Sequence, residues 1–185
     1  MTTNLVILGR DGVINEDPGD SIKSPQEWRP LPGALEALAA LTRAGFRTVV
    51  ATNQPGIKRR TLSVETLNLI HDRLHQEAAQ LGGNIEAIFF CPCLPKDACD
   101  CYKPNPGMLE EIARRLRVNL AGVPTVGNSL ADIEAARAAG AEPHLILTGD
   151  GRKAIADPAF PAHTTVHEDL ARAVEYLVAR QARSA

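Results

Sequence analysis

Aromatic residues are scarce in this chain, with one Trp, two Tyr and four Phe among 185 residues. Single-stranded nucleic acid is gripped by stacking bases on aromatic rings along a basic groove. Here 20 Lys and Arg are set against 22 Asp and Glu, for a formal net charge of -2. That balance offers no bulk attraction to polyanions or anionic lipid, so neither a nucleic-acid nor a membrane partner is expected. No apolar run approaches the roughly 20 residues of a membrane-spanning helix. The start, Met1-Thr2-Thr3-Asn4, lacks the basic segment and cleavage site of an export signal, and the expectation is a cytoplasmic protein. Repeats, low-complexity tracts and long linkers are missing too. Residues 1–185, 44% hydrophobic, are therefore expected to form one domain and to act as a monomer.

Cysteine is absent everywhere but in one loop, "CPCLPKDACDC", which holds Cys91, Cys93, Cys99 and Cys101. Two C-x-C pairs in a short loop can wrap a tetrahedral zinc, with thiolates about 2.3 Å from the ion. A disulfide pair is the alternative, and disulfides are rare in the reducing cytosol. The expectation is zinc. Four sulfur ligands leave no open position for water, so such a zinc would be structural.

What the chain does contain is a regular alternation of periods. "NLVIL" (4–8) reads as a buried strand, "PGALEALAALTRAG" (32–45) as a helix and "FRTVVAT" (46–52) as a second strand. A long amphipathic helix (63–81) follows, with Ser63 and Thr66 near its start. Then come a strand (84–90), the cysteine loop, a helix (105–117), a strand (123–128), a helix (130–140), a strand (143–149) and a last helix from about 168 to 180. Such alternation implies an α/β fold with a parallel sheet covered by helices on both faces.

In sheets of this kind ligands sit beyond the carboxyl ends of the strands, so the residues that follow each strand are the candidates. They are Gly9, Arg10, Asp11 and Gly12; Thr52, Asn53 and Gln54; Lys103 after the cysteine loop; and Asn128, Ser129 and Asp132. A hydroxyl, amide groups and a lysine suit a phosphate, which needs several donors and a cation. Asp11 has the chemistry of a general acid or base, and Asp132 that of a cation ligand. Arg59 and Arg60, in "KRR" (58–60), stand where the mouth of such a pocket would be. Each residue also has an ordinary reading. Gly9 would be required if the chain turned there with positive φ, Asn128 would serve as a helix cap, and Lys103 would be a solvated lysine. His71 and His75, one turn apart without the Glu of H-E-x-x-H, are expected on the surface.

The order "LGRDGVIN", "ATNQPGI", "CYKPNPGM" and "VGNSLADIEAARAAGA" resembles the haloacid dehalogenase superfamily of aspartate-nucleophile phosphatases, over about residues 4–151. Within it the likeness is greatest to the heptose 1,7-bisphosphate phosphatases, which make a heptose precursor of bacterial surface polysaccharide. The resemblance implies a Rossmann-like three-layer domain without a large cap, a small phosphorylated sugar as ligand, magnesium, and a zinc loop. It places the attacking carboxylate at Gly9, where this chain has no side chain, and the proton donor to the leaving group at Asp11. It assigns phosphate contacts to Thr52 and Lys103, beside which Asn53, Gln54, Tyr102 and, from their place at the pocket mouth, Arg59 and Arg60 are expected to contact the phosphate or the sugar, although a run such as "KRR" is more often a solvated loop. Asp11, Asn128 and Asp132 would form the magnesium site. Tyr102 stands where the family has Arg, Cys93 where it has His, Pro55 where it has Ser, and Asn128 where it has Asp.

Taken together these departures leave the site with fewer carboxylates and a weaker claim on magnesium, and the two losses balance in charge. The expectation is a sugar-phosphate phosphatase homologue with lost or strongly reduced activity. Its alternative is a non-catalytic module that binds a sugar phosphate or a partner. A second alternative comes from "VGNSLA", which approaches a G-x-S-x-G nucleophile elbow; Ser129 with Asp157 and His163 or His167 would then give a serine esterase. That chain is short for the esterase fold, and no HGGG-type loop is present.

Overall fold

The computed structural model describes residues 4–17, 19 and 21–184; Met1–Thr3, on which the reading of the chain's start rests, lie outside them. Six strands form one parallel sheet: β1 (Leu5–Leu8), β2 (Arg47–Asn53), β3 (Ala87–Cys91), β4 (Pro124–Gly127), β5 (Glu142–Ile146) and β6 (Thr165–His167). Their spatial order is β3-β2-β1-β4-β5-β6. This is the doubly wound arrangement in which the chain runs one way from β1 to β3 and then crosses back to β4. The crevice at that reversal lies beyond the carboxyl ends of β1 and β4.

The all-apolar β1 is explained by burial on both faces. Val6 and Leu8 pack into a cluster with Leu38, Leu41, Leu67, Ile70, Leu74 and Leu177, while Leu5 and Ile7 face Met108, Leu109, Ile112 and Ala135. The first layer is made by α1 (Ala34–Arg43), α3 (Val64–Gln80) and α7 (Leu170–Ser184), the second by α4 (Gly107–Leu116) and α5 (Leu130–Ala138). The strands and long helices expected from periodicity are all present, with ends shifted by a few residues. Capping fixes two of the helix starts. Ser63 Oγ accepts from the Thr66 amide at 3.0 Å to open α3, and Ser129 and Asp132 form a reciprocal capping box that opens α5. Three short elements were not foreseen: α2 (Gly56–Arg59), α6 (Gly151–Ile155) and β6. Each is too short for a periodic pattern to develop. Among the described residues no helix is long and apolar enough to cross a membrane.

Candidate functional site

The loops after β1, β2 and β4, with Tyr102 and Lys103 at the end of the cysteine loop, meet in an open pocket of about 300 Å³. Gly9, Arg10, Asp11, Thr52, Asn53, Gln54, Arg59, Tyr102, Lys103, Asn128, Ser129 and Asp132 all line it, joined by Asp17 and Asp150. The sequence thus located the convergence, apart from the last two carboxylates. Arg60 is not among the lining residues; it ends α2 in a left-handed conformation with φ 61°.

Gly9 is not a conformational requirement. Its φ lies outside the left-handed region, and a Cβ built there meets only one close neighbour, Val13 Cγ2 at 2.9 Å. Its amide donates to Val126 O at 2.8 Å, a bond any residue would make. What the position lacks is therefore a functional group.

Asp11 is held by five donor contacts from three side chains. Arg10 approaches with Nη2 at 2.8 Å from Oδ1 and 3.0 Å from Oδ2, and with Nε at 3.0 Å from Oδ1. Asn15 Nδ2 donates to Oδ1 at 2.9 Å and Gln54 Nε2 to Oδ2 at 2.8 Å. Arg10 itself is almost wholly buried, and its Nη1 lies 3.0 Å from His71 Nε2. Since a guanidinium only donates, that imidazole nitrogen must accept. His71 is thus a buried acceptor rather than the surface histidine expected, and burial, reinforced by the Arg10 charge, lowers its pKa to about 3. Sequence reasoning gave Arg10 no role. A charged residue at the end of a wholly apolar strand was the available signal, because a buried arginine needs a carboxylate.

Lys103 and Asp132 form the second buried pair. Lys103 Nζ donates to Asp132 Oδ1 and, at 3.0 Å, to Ala51 O, leaving one of its three hydrogens for a ligand. Asp132 Oδ2 also accepts from Ser129 Oγ at 2.6 Å and from the Ser129 and Asn128 amides at 3.1 and 3.2 Å. Burial works to raise the pKa of Asp132, but the Lys103 charge and these hydrogen bonds outweigh it and hold the group below the ordinary carboxylate value. Thr52 Oγ1 accepts from Gln54 Nε2 at 2.9 Å, so its own hydrogen is left to donate. Asn53, expected to touch phosphate, lines the pocket and also brackets the Lys103 backbone at 3.2 Å on both its amide nitrogen and its carbonyl. It is a support for the lysine.

These occupancies test the fit of magnesium, which asks for near-octahedral oxygen coordination. Gly9 offers no side-chain oxygen, Asn128 is neutral, and Asp11 and Asp132 each already face a cation of their own. The donor set does not fit the ion. Among the described residues the cluster of side chains spaced for a metal is Cys91, Cys93 and Cys101, whose sulfurs lie within 4.8 Å of one another. In the structure the loop's four cysteines are joined as Cys91–Cys101 and Cys93–Cys99. Cys93 Sγ and Cys101 Sγ are 4.0 Å apart, close to the roughly 3.8 Å between sulfurs that a tetrahedron of 2.3 Å zinc bonds implies. The loop is tied to the pocket mouth by Lys58 Nζ, 2.8 Å from Asp97 Oδ2, and it runs directly into Tyr102 and Lys103.

The esterase arrangement does not assemble. Ser129 Oγ is engaged with Asp132 as a helix cap, and His167 Nε2 lies 3.0 Å from His144 Nδ1 at the far edge of the sheet. Among the described residues no histidine bonds to Ser129.

Comparison with known proteins adds the family context. The family model for haloacid dehalogenase-like hydrolases matches residues 3–140. A D-glycero-beta-D-manno-heptose-1,7-bisphosphate 7-phosphatase of Bordetella bronchiseptica is 52% identical over 174 residues, covering 94% of this chain and 97% of that protein. The Pseudomonas aeruginosa protein of the same name is 44% identical over 96% of this chain and 99% of its own length. A crystal structure of D,D-heptose 1,7-bisphosphate phosphatase from B. bronchiseptica, complexed with magnesium and phosphate, superposes with a TM-score of 0.93 at 52% identity, covering 95% of this chain and 98% of that one.

Proposed function

This chain belongs to the haloacid dehalogenase-like hydrolases, and from that premise we propose that its pocket binds a phosphorylated sugar of the heptose bisphosphate type while hydrolysing it weakly or not at all. The relatives that support the ligand class are named as phosphatases of heptose 1,7-bisphosphate, at 52% and 44% identity. The observation that carries the loss of turnover is the bare pocket wall at Gly9, the position to which the family likeness assigns the attacking carboxylate. Loss of such a nucleophile typically costs on the order of 10⁴ to 10⁶ in rate.

Asp11 is poorly placed to take over. Both of its oxygens are engaged by Arg10, Asn15 and Gln54. A carboxylate fully occupied as an acceptor has no lone pair directed at a water and no proton to give. The groups suited to binding are one Lys103 hydrogen and the Thr52 hydroxyl, with Arg59 lining the same pocket. Together they supply the cation and donors that a phosphate requires. The cysteine loop we assign as a structural zinc knuckle in its reduced state, in keeping with the reducing cytoplasm to which we assign the protein.

The test is phosphate release from D-glycero-D-manno-heptose 1,7-bisphosphate, with and without magnesium, comparing the native chain with a Gly9→Asp, Asn128→Asp double variant. The new side chain at position 9 requires Val13 to turn away, the one contact under 3.0 Å. Activity in the variant alone supports the reading. Native turnover at the variant's rate overturns it.

A further inference from the structure

Asn128 is 5% exposed and lies between the loop after β1 and the turn that leads into α6. Two glycines wall it in. A Cβ on Gly12 or on Gly149 would come within 2.1 or 2.2 Å of the Asn128 amide group, and both glycines have positive φ, 71° and 53°. The orientation that satisfies both ends of the amide lets its nitrogen donate to Asp11 O at 3.2 Å and its oxygen accept from the Asp150 amide at 3.2 Å. Thr148 Oγ1, donating to Gly12 O at 2.6 Å, ties the same two loops a second time. The side chain is therefore a two-ended rivet in a slot fitted to it.

The chemistry at that slot depends on one hydrogen. A carboxylate of the same shape would set an oxygen 3.2 Å from the Asp11 carbonyl oxygen, and two acceptors at that distance need a proton or a cation between them. The asparagine brings its own N–H. We infer that Asn128 replaces a divalent cation: its amide joins the β1 loop to the α6 turn, so the pocket is assembled, and takes its anion, without metal. The second half of this inference rests on the phosphate-binding reading above; the first does not.

Thermal unfolding of the native chain, Asn128→Asp and Asn128→Ala, each in magnesium-free buffer without chelator, so that the cysteine loop is left undisturbed, and in millimolar magnesium, tests the rivet. Titration of the native chain with inorganic phosphate under the same two conditions tests the pocket. The native melting temperature should be indifferent to magnesium. Asn128→Asp should melt lower than the native chain without magnesium by on the order of 3–10 °C, the effect of losing a buried hydrogen bond in a domain of this size, and recover when magnesium is added. Asn128→Ala should melt low in both, because it has neither the hydrogen nor the charge. Phosphate should bind the native chain with an affinity that changes by less than about twofold with magnesium. A saturable rise of the native melting temperature with magnesium, or an Asn128→Asp variant that is native-like without magnesium, overturns the inference. So does phosphate affinity that tightens about tenfold or more with the metal. Phosphate binding under neither condition overturns the ligand reading instead, and the melting comparison still decides the role of Asn128.

Discussion

Replacing Lys103 with Met should destabilise the protein more than any change that a ligand-contact role alone would produce. Lys103 and Asp132 are both about nine-tenths buried at their side chains, and removing one partner of a buried ion pair typically costs about 3–5 kcal/mol because the other charge is stranded. Asp132 would retain three donors, the Ser129 hydroxyl and the Ser129 and Asn128 amides, which places the cost near the lower end, about 3 kcal/mol. For a domain of this length that is a fall in melting temperature of about 6–12 °C. The double variant Lys103→Met, Asp132→Asn should regain most of it, with a coupling energy of about 2–3 kcal/mol in the thermodynamic cycle. The pH dependence carries a further sign. Without the lysine, burial of Asp132 is opposed only by the Ser129 and Asn128 hydrogen bonds and its folded pKa rises from the native one, so the deficit should be largest at neutral pH and shrink as the pH falls. A single variant that melts within about 1 °C of the native chain, or strict additivity in the double variant, would show that the pair contributes little and that Lys103 is held for ligand alone.

Arg10→Lys should cost about 2–3 kcal/mol, read as a lower denaturation midpoint, because an ammonium cannot reproduce the fork that reaches both Asp11 oxygens and His71 at once. Stability should also fall below neutral pH. Burial holds His71 at about 3 and His144 at about 4 in the folded chain, against an ordinary 6.5; the unfolded chain binds more protons across that window. The stability these groups contribute is complete above pH 6.5 and drains as the pH falls through the window, by at most about 1.4 kcal/mol per pH unit for each histidine. His71→Gln and His144→Gln should flatten this slope in melting curves from pH 7 to pH 5, and an unchanged slope in both would refute the assignment. Protein prepared under reducing conditions should hold about one zinc per chain by elemental analysis and release it to a chelator with loss of order at Tyr102 and Lys103. Absence of zinc together with no titratable thiol would establish the two disulfides instead.

The framework of the fold was legible because its signals are local and repeated. A strand such as Leu5–Leu8, apolar at every position, and a helix such as Met108 to Ile112, apolar on one face, declare their burial in sequence. The pocket was legible because the parallel sheet brings every strand's carboxyl end to one rim. Pairing was not legible. That Arg10 would reach His71, that Lys103 would meet Asp132, and that Asn53 would bracket the lysine backbone all depend on distances between segments 29 to 61 residues apart. The histidines at 71 and 75 differ for the same reason. One lies under the β1 loop and the other does not, although their spacing along α3 is identical to that of any one-turn pair. α2, α6 and β6, of four, five and three residues, are set by tertiary contacts rather than by propensity.

The arrangement of the ion pairs explains how a chain of this family can carry glycine at position 9 and keep its fold. Asp132 has a second task independent of chemistry, since it completes the capping box that starts α5. Lys103 answers its charge, and Asn53 holds the lysine's backbone. On the other side of the pocket Asp11 is answered by Arg10, whose second partner is a neutral histidine from α3. Among the described residues, the Arg10–Asp11 and Lys103–Asp132 charges are thus each neutralised within the protein rather than by a substrate or an ion. A site that depended on an attacking carboxylate and a magnesium for its charge balance would be left with an uncompensated group when either was lost, at a cost of several kcal/mol. Here Gly9 contributes only its amide to the sheet, through Val126. The loss of the nucleophile is therefore a change in chemistry with little consequence for stability, and the Gly9→Asp variant should melt no higher than the native chain even where it gains turnover. A rise in its melting temperature would mean that the pocket still carries unmatched positive charge.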